Sequence, residues 1–183
     1  MTILYTAVKR FAPDCRDDWD RYIHWSGLTQ LREVVSLDGI LCPNLVDEIR
    51  DSDWEHLDCI DSKYQFFRDL DYLLNRLAGV QGHNVLALFK SPSDSDLKTF
   101  SDSRFVFMGF DLTEGDGGSI SALVNCGGFP EAFDNHELSD CGLISDLSRA
   151  IEVRRSLREK YPSEPHAQCD VWAIWKMTKQ TGV

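Results

Sequence analysis

The stretch "NVLALFK", residues 84–90, decides how the rest of the chain is read. It is apolar on both of its alternating faces, as a strand covered on two sides would be. A central strand needs neighbours, and several follow. "RFVFMGFDL" (104–112) is again apolar on both faces. "TEGDGGS" is a turn by composition, with three glycines in seven residues, and "ISALVN" (120–125) reads as the hairpin mate of the preceding strand. "DVWAIWKM" (170–177) alternates Val171, Ala173 and Trp175 with Trp172 and Ile174. Residues 2–11 supply a fifth strand, with Ile3, Tyr5 and Ala7 against Leu4, Thr6 and Val8.

Helices fill the intervals. Residues 16–78 read as a helical portion. Trp19, Tyr22 and Ile23 recur at helical spacing up to a break at Gly27, and Leu28, Leu31, Val34 and Val35 follow. Pro43 opens a third piece, and Ser52-x-x-Glu55 has the pattern of a capping box. The clearest helix is 63–78. Ser62 and Gln65 open it, Phe66, Phe67, Leu70, Leu73, Leu74 and Leu77 make one apolar face, and Gly79 stops it. "SPSDSDLKTF" gives a break and a short helix. Residues 146–161 form the last helix, with Leu147, Ala150, Ile151, Leu157 and Tyr161 inward. The order is not the regular alternation of a doubly wound sheet. It predicts an α+β fold: about five strands in a mixed or mostly antiparallel sheet packed by helices, in a single domain over 1–183.

Composition narrows the function classes. The chain is 43% hydrophobic and 11% aromatic, enough for a real core. No apolar run approaches the roughly 18 residues of a membrane span, and "MTILYTAVKRF" reads as a strand and not a signal peptide, so a cytoplasmic protein is expected. Six scattered cysteines with no C-x-x-C read as free thiols. The net charge is −11, with −13 in residues 1–145 and +2 in the remainder. Such a field repels nucleic acid and anionic lipid and suits a basic protein partner. The basic cluster "RRSLREK" (154–160) is too isolated to change that, and is expected to meet the protein's own acidic face or a partner.

"VNCGGFPEAF" (124–133) holds the main catalytic candidate. Cys126 would be a nucleophile, the N–H groups of Gly127 and Gly128 an oxyanion hole, His136 the base and Asp111 a carboxylate. Its flanking residues match no cysteine-protease signature. The simpler reading is a strand end and a turn whose glycines permit positive φ, with Phe129 and Phe133 packing back. Those two glycines still count as candidates to face a ligand. Asp111-x-x-Glu114-x-Asp116-Gly117 lacks the spacing of a calcium loop and reads as a hairpin turn. His56-x-x-Cys59 and His166-x-x-Cys169 share a spacing suited to zinc but need two distant segments to meet, so no metal and no cofactor are expected. His24 is expected in an aromatic cluster. The paired carboxylates, Asp69 and Asp71 among them, read as solvated surface. Nucleotide-binding and hydrolase motifs with fixed glycine or histidine spacing are absent.

The leading expectation is a non-catalytic protein-binding module, an immunity-type, toxin-neutralising protein being one form of it. Trp54 and Phe129, each beside a turn, are the expected binding anchors, with Gly127 and Gly128 nearby. The alternative is a small enzyme with its site near the 111–136 hairpin and turn, built on Cys126 and His136.

Overall fold

The structure is a computed structural model that describes residues 3–45, 60–61, 66–114, 120–125 and 128–178. Its centre is β4 (His83–Lys90), the strand predicted from "NVLALFK". Residues Asn84 to Phe89 are all buried. On one side β4 pairs with β1 (Leu4–Lys9), Leu4 facing Leu88 and Thr6 facing Leu86. On the other it pairs with β6 (Cys169–Met177), Ala87 facing Trp175 and Leu88 facing Ile174. β5 (Phe105–Glu114) lies outside β6, and two strands of two residues, β2 (Ile60–Asp61) and β3 (Phe66–Phe67), extend the opposite side. The sheet order is β2-β3-β1-β4-β6-β5, and every pairing is antiparallel. With four α-helices among the described residues, the fold is α+β.

The helices follow their local signals. α1 (Trp19–Ser26) ends at Gly27, whose φ of +70° is the left-handed conformation that glycine adopts without steric cost; its N–H donates to the Ile23 carbonyl at 3.0 Å. α2 (Leu70–Arg76) packs against β1 and β3. α3 (Asp94–Thr99) starts in a capping box of Ser93 and Asp96. α4 (Leu147–Lys160) is capped by Asp146 and packs on β5 and β6 through Leu147, Ala150, Val153 and Leu157. Ile151, expected inward, is instead 42% exposed.

Three expected elements take other forms. The helix over 63–78 begins only at Leu70, because the Asp69 carboxylate accepts the Tyr72 N–H at 2.9 Å and sets the N-terminus there. The aromatic pair before it goes to the sheet, where adjacent residues point to opposite faces. Phe67 faces Tyr5 of β1, and Phe66 meets Trp172 edge-on at 5.6 Å. The caps Ser62-x-x-Gln65 and Ser52-x-x-Glu55 lie outside the described residues.

Residues 28–45 contain no α-helix. Leu28, Leu31, Val34 and Val35 are buried as their spacing suggested, but the N–H groups of Val34 and Val35 bond across the fold and not along a helix. Val34 donates to the Phe11 carbonyl at 2.8 Å, Val35 to that of Cys141 at 3.0 Å, and Arg32 to that of Asp140 at 2.8 Å. The hairpin mate over 120–125 reduces to a single bridge between Ser121 and Thr113. The chain then turns, with the Asn125 N–H on the Ser121 carbonyl at 3.2 Å.

The outer edge of β5 is closed at Phe110 by a two-way bridge to Ile144, at 2.7 and 3.1 Å. This approach requires Gly109, where β5 bulges against β6. Its φ is +135°, and a Cβ there would lie 2.7 Å from the Ile144 carbonyl oxygen.

Candidate functional site

The candidate site lies where α1, the 36–42 loop and the 121–125 turn converge. α1 turns Trp19 and Tyr22 inward, both under 9% exposed. Trp25, six residues after Trp19, points away from that buried face and is 54% exposed. It still leans on Tyr22, three residues earlier, at 6.1 Å between rings. Behind them Phe11 meets Tyr22 edge-on at 5.0 Å, and the Arg16 guanidinium sits 4.4 Å over the Phe11 ring. Phe11, Tyr22, Trp25 and Leu41 enclose a shallow hollow of about 370 Å³, with Asp18, Arg21 and Asn125 at its rim. Ile40, next to Leu41, is 65% exposed. Asp17 and Asp20, on either side of Asp18, are exposed.

Two buried carboxylates hold this surface in place. Asp38 Oδ1 accepts the N–H of Ile40 at 2.9 Å and of Leu41 at 2.8 Å. Its Oδ2 accepts the Ser121 N–H at 2.8 Å, and the Asn125 amide donates to both oxygens at 3.1 and 3.0 Å. Asp111 Oδ2 accepts from the Ser36 hydroxyl at 2.6 Å and the Leu37 N–H at 3.0 Å. Its Oδ1 accepts from the Ser121 hydroxyl at 2.6 Å and the Leu112 N–H at 2.8 Å. Burial pushes the Asp111 carboxyl above the usual range, against the Ser121 and Ser36 hydroxyls and the Leu37 N–H, which favour its ionised form. Tyr22 completes the frame by donating its hydroxyl to the Val124 carbonyl at 2.8 Å, and burial raises its ionisation.

Three of the described thiols are shielded from ionisation. Burial pushes Cys42 up strongly, Cys141 up to about 11 and Cys169 up to about 12, so all three are protonated at neutral pH.

Several residues singled out in the sequence fall outside the described ones, and those that are described do not form a catalytic group. Cys126, Gly127 and Trp54 lie outside the described residues, as do Asp116, Gly117, His56 and Cys59. His136 is exposed on a short 3-10 helix, Asn135–Glu137. Asp111 is wholly buried with both oxygens engaged, which leaves no lone pair directed at an incoming group. Gly128 has the positive φ its turn called for, +91°. Phe129 is not a surface anchor: it is 6% exposed, packed edge-on to Tyr161 at 4.9 Å and to His166 at 5.4 Å. His166 places its Nδ1 2.7 Å from Glu114. His24, expected in an aromatic cluster, is exposed. Asp69 is a helix cap, and Arg158 donates to the carbonyls of Ala167 and Cys169 at 3.1 and 3.4 Å, bracing its own chain. No cluster of three or more histidine, cysteine or acidic groups suited to a metal occurs among the described residues. No helix among them is long and apolar enough to cross a membrane.

Trp25, Ile40 and Asp38 are what sequence reasoning missed. Trp25 had a signal: it falls off the stripe defined by Trp19 and Tyr22. Ile40 and Asp38 had none, because their roles depend on the distant Ser121 and Asn125. Comparisons of the chain with protein-family models, with curated proteins and with solved structures returned no match.

Proposed function

We propose that this protein is a non-catalytic protein-binding module that engages a basic partner through the face around Trp25 and Ile40. The observation that carries the reading is the pairing of an exposed tryptophan with an aromatic-floored hollow whose rim holds Asp18, itself paired with Arg16, while Asp17 and Asp20 of the same segment are exposed. Trp25 offers both a large apolar surface and a π-face to a lysine or arginine side chain. The bonds from Asp38 hold the Ile40 backbone in advance of binding, which lowers the ordering cost of association. The net charge of −11 suits a cationic partner and speeds encounter with it. A toxin-neutralising, immunity-type role is one form of this reading.

The test is co-purification from the source cells with the wild type, Trp25→Glu and Ile40→Glu, followed by kinetics on the protein recovered. The expected result is a basic protein held by the wild type and lost from both variants. Its association should slow as the Debye length shrinks from about 10 Å at 0.1 M salt to about 3 Å at 1 M, with dissociation changing less. Equal recovery by all three proteins, or an association rate indifferent to salt, overturns the proposal.

A further inference from the structure

A second groove, of about 780 Å³, lies at the end of the sheet where β4 begins and β6 finishes. That volume is within the range of small-molecule sites. One part of its wall is apolar: Leu74 of α2, Val85 of β4, Val106 and Met108 of β5, and Met177 of β6. Val106 is 50% exposed, and the two methionines give the wall an adaptable surface. The polar part is cationic, with Arg10 and Lys176 beside the Asn84 amide.

The charged side chains that line this groove, Arg10 and Lys176, are both basic, although each is ion-paired, Arg10 with Asp14 and Glu33 and Lys176 with Glu33. The chain holds 30 acidic and 19 basic residues, yet no Asp or Glu is among the described residues that line it. One carboxylate that is not among the described lining residues holds their donors. Glu33 accepts from the Lys176 ammonium at 2.6 Å, the Asn84 amide at 2.7 Å and Arg10 Nε at 3.2 Å, and so fixes all three donors at one end. Arg10 spends its remaining nitrogens on Asp14, at 3.1 and 3.2 Å. Lys176 carries three N–H donors and uses one on Glu33. The ammonium is thus positioned, half-buried, at the head of an apolar trough.

We propose that this groove binds a small amphipathic anion, a monocarboxylate with an apolar body, its carboxylate on Lys176 and its body along Val85, Val106 and Met108. A charge-assisted hydrogen bond would orient the head group, and removal of apolar surface from water would hold the tail.

The test uses decanoate as the probe, below the concentration at which it self-associates, with decan-1-ol as its uncharged counterpart. Titration calorimetry on the whole chain reads the affinity. Saturable one-to-one binding is expected, at least about tenfold tighter for decanoate than for the alcohol. Lys176→Met should lose that preference. Because Lys176 also pairs with Glu33, Val106→Glu provides a second variant at an exposed position; it should weaken decanoate at least about tenfold while circular dichroism stays unchanged. Ile151→Ser, on the outer face of α4, should bind as the wild type does. Absence of saturable binding, equal affinity for acid and alcohol, or full affinity in a folded Val106→Glu protein each overturns the proposal. None of these results depends on the partner surface around Trp25.

Discussion

Removing the Asp111 carboxylate should be among the most destabilising single changes in the chain. In Asp111→Ala, the N–H groups of Leu37 and Leu112 lose their acceptor in a fully buried place. Each stranded donor costs about 1–3 kcal/mol, so the loss is about 4 kcal/mol even if the hydroxyls of Ser36 and Ser121 rotate to other acceptors. Asp111→Asn retains an acceptor on one side only. Its amide nitrogen must then face one of the two backbone N–H groups, for a cost of about 2 kcal/mol. With a urea dependence of about 2 kcal/mol per molar, the midpoints should fall by about 2 M and about 1 M. Urea titrations followed by tryptophan fluorescence and circular dichroism together measure this. The effect also has a pH signature. Burial raises the folded pKa of Asp111 above its unfolded value, so the stability it contributes is fully present below the unfolded pKa and lost as pH rises through the folded one. Asparagine does not titrate. The gap between wild type and Asp111→Asn should therefore widen on acidification and narrow as pH rises. A midpoint shift under about 0.3 M for Asp111→Ala, or a gap that widens with rising pH, would show that the network does not hold the loops as described.

Gly109→Ala should cost about 3 kcal/mol, because its Cβ would lie 2.7 Å from the Ile144 carbonyl at a φ of +135°; thermal unfolding checks this, and an unchanged Tm would mean that the Phe110–Ile144 bridge opens without cost. Leu73→Ala should lose about 2–5 kcal/mol from a side chain 1% exposed, whereas Leu74→Ala, half-buried at the groove, should lose under about 2 kcal/mol by the same urea assay. Burial works to raise the Glu33 pKa, but the Lys176 ammonium, the Asn84 amide and the Arg10 guanidinium together hold it below the usual value. Its stabilisation is thus present above the unfolded pKa and lost as pH falls through the folded one, so Glu33→Gln should cost about 2 kcal/mol at neutral pH and progressively less in acid.

The sheet was legible in the sequence because its determinants are local. Side-chain alternation in β1, β4, β5 and β6 is a property of each segment, and burial on both faces of 84–90 marked the central strand before any partner was known. Gly27 and the α4 stripe were legible for the same reason: a stop signal and a helical repeat need no tertiary context. The largest failure falls where the backbone bonds to something far along the chain. Leu28, Leu31, Val34 and Val35 have helical spacing, yet the N–H groups of Val34 and Val35 are drawn to Phe11 and Cys141, 23 and 106 residues away. Phe66 and Phe67 belong to a helix by pattern and to a strand by their access to β1. Asp111 reads in the sequence as part of a hairpin turn or as a catalytic carboxylate, because a carboxylate is costly to bury alone and nothing near it announces the Ser36 and Ser121 hydroxyls that make burial tolerable. Periodicity thus determined which residues leave water. Only the tertiary structure decided which polar groups they meet there, and so which aromatics remain exposed, Trp25 and not Phe129.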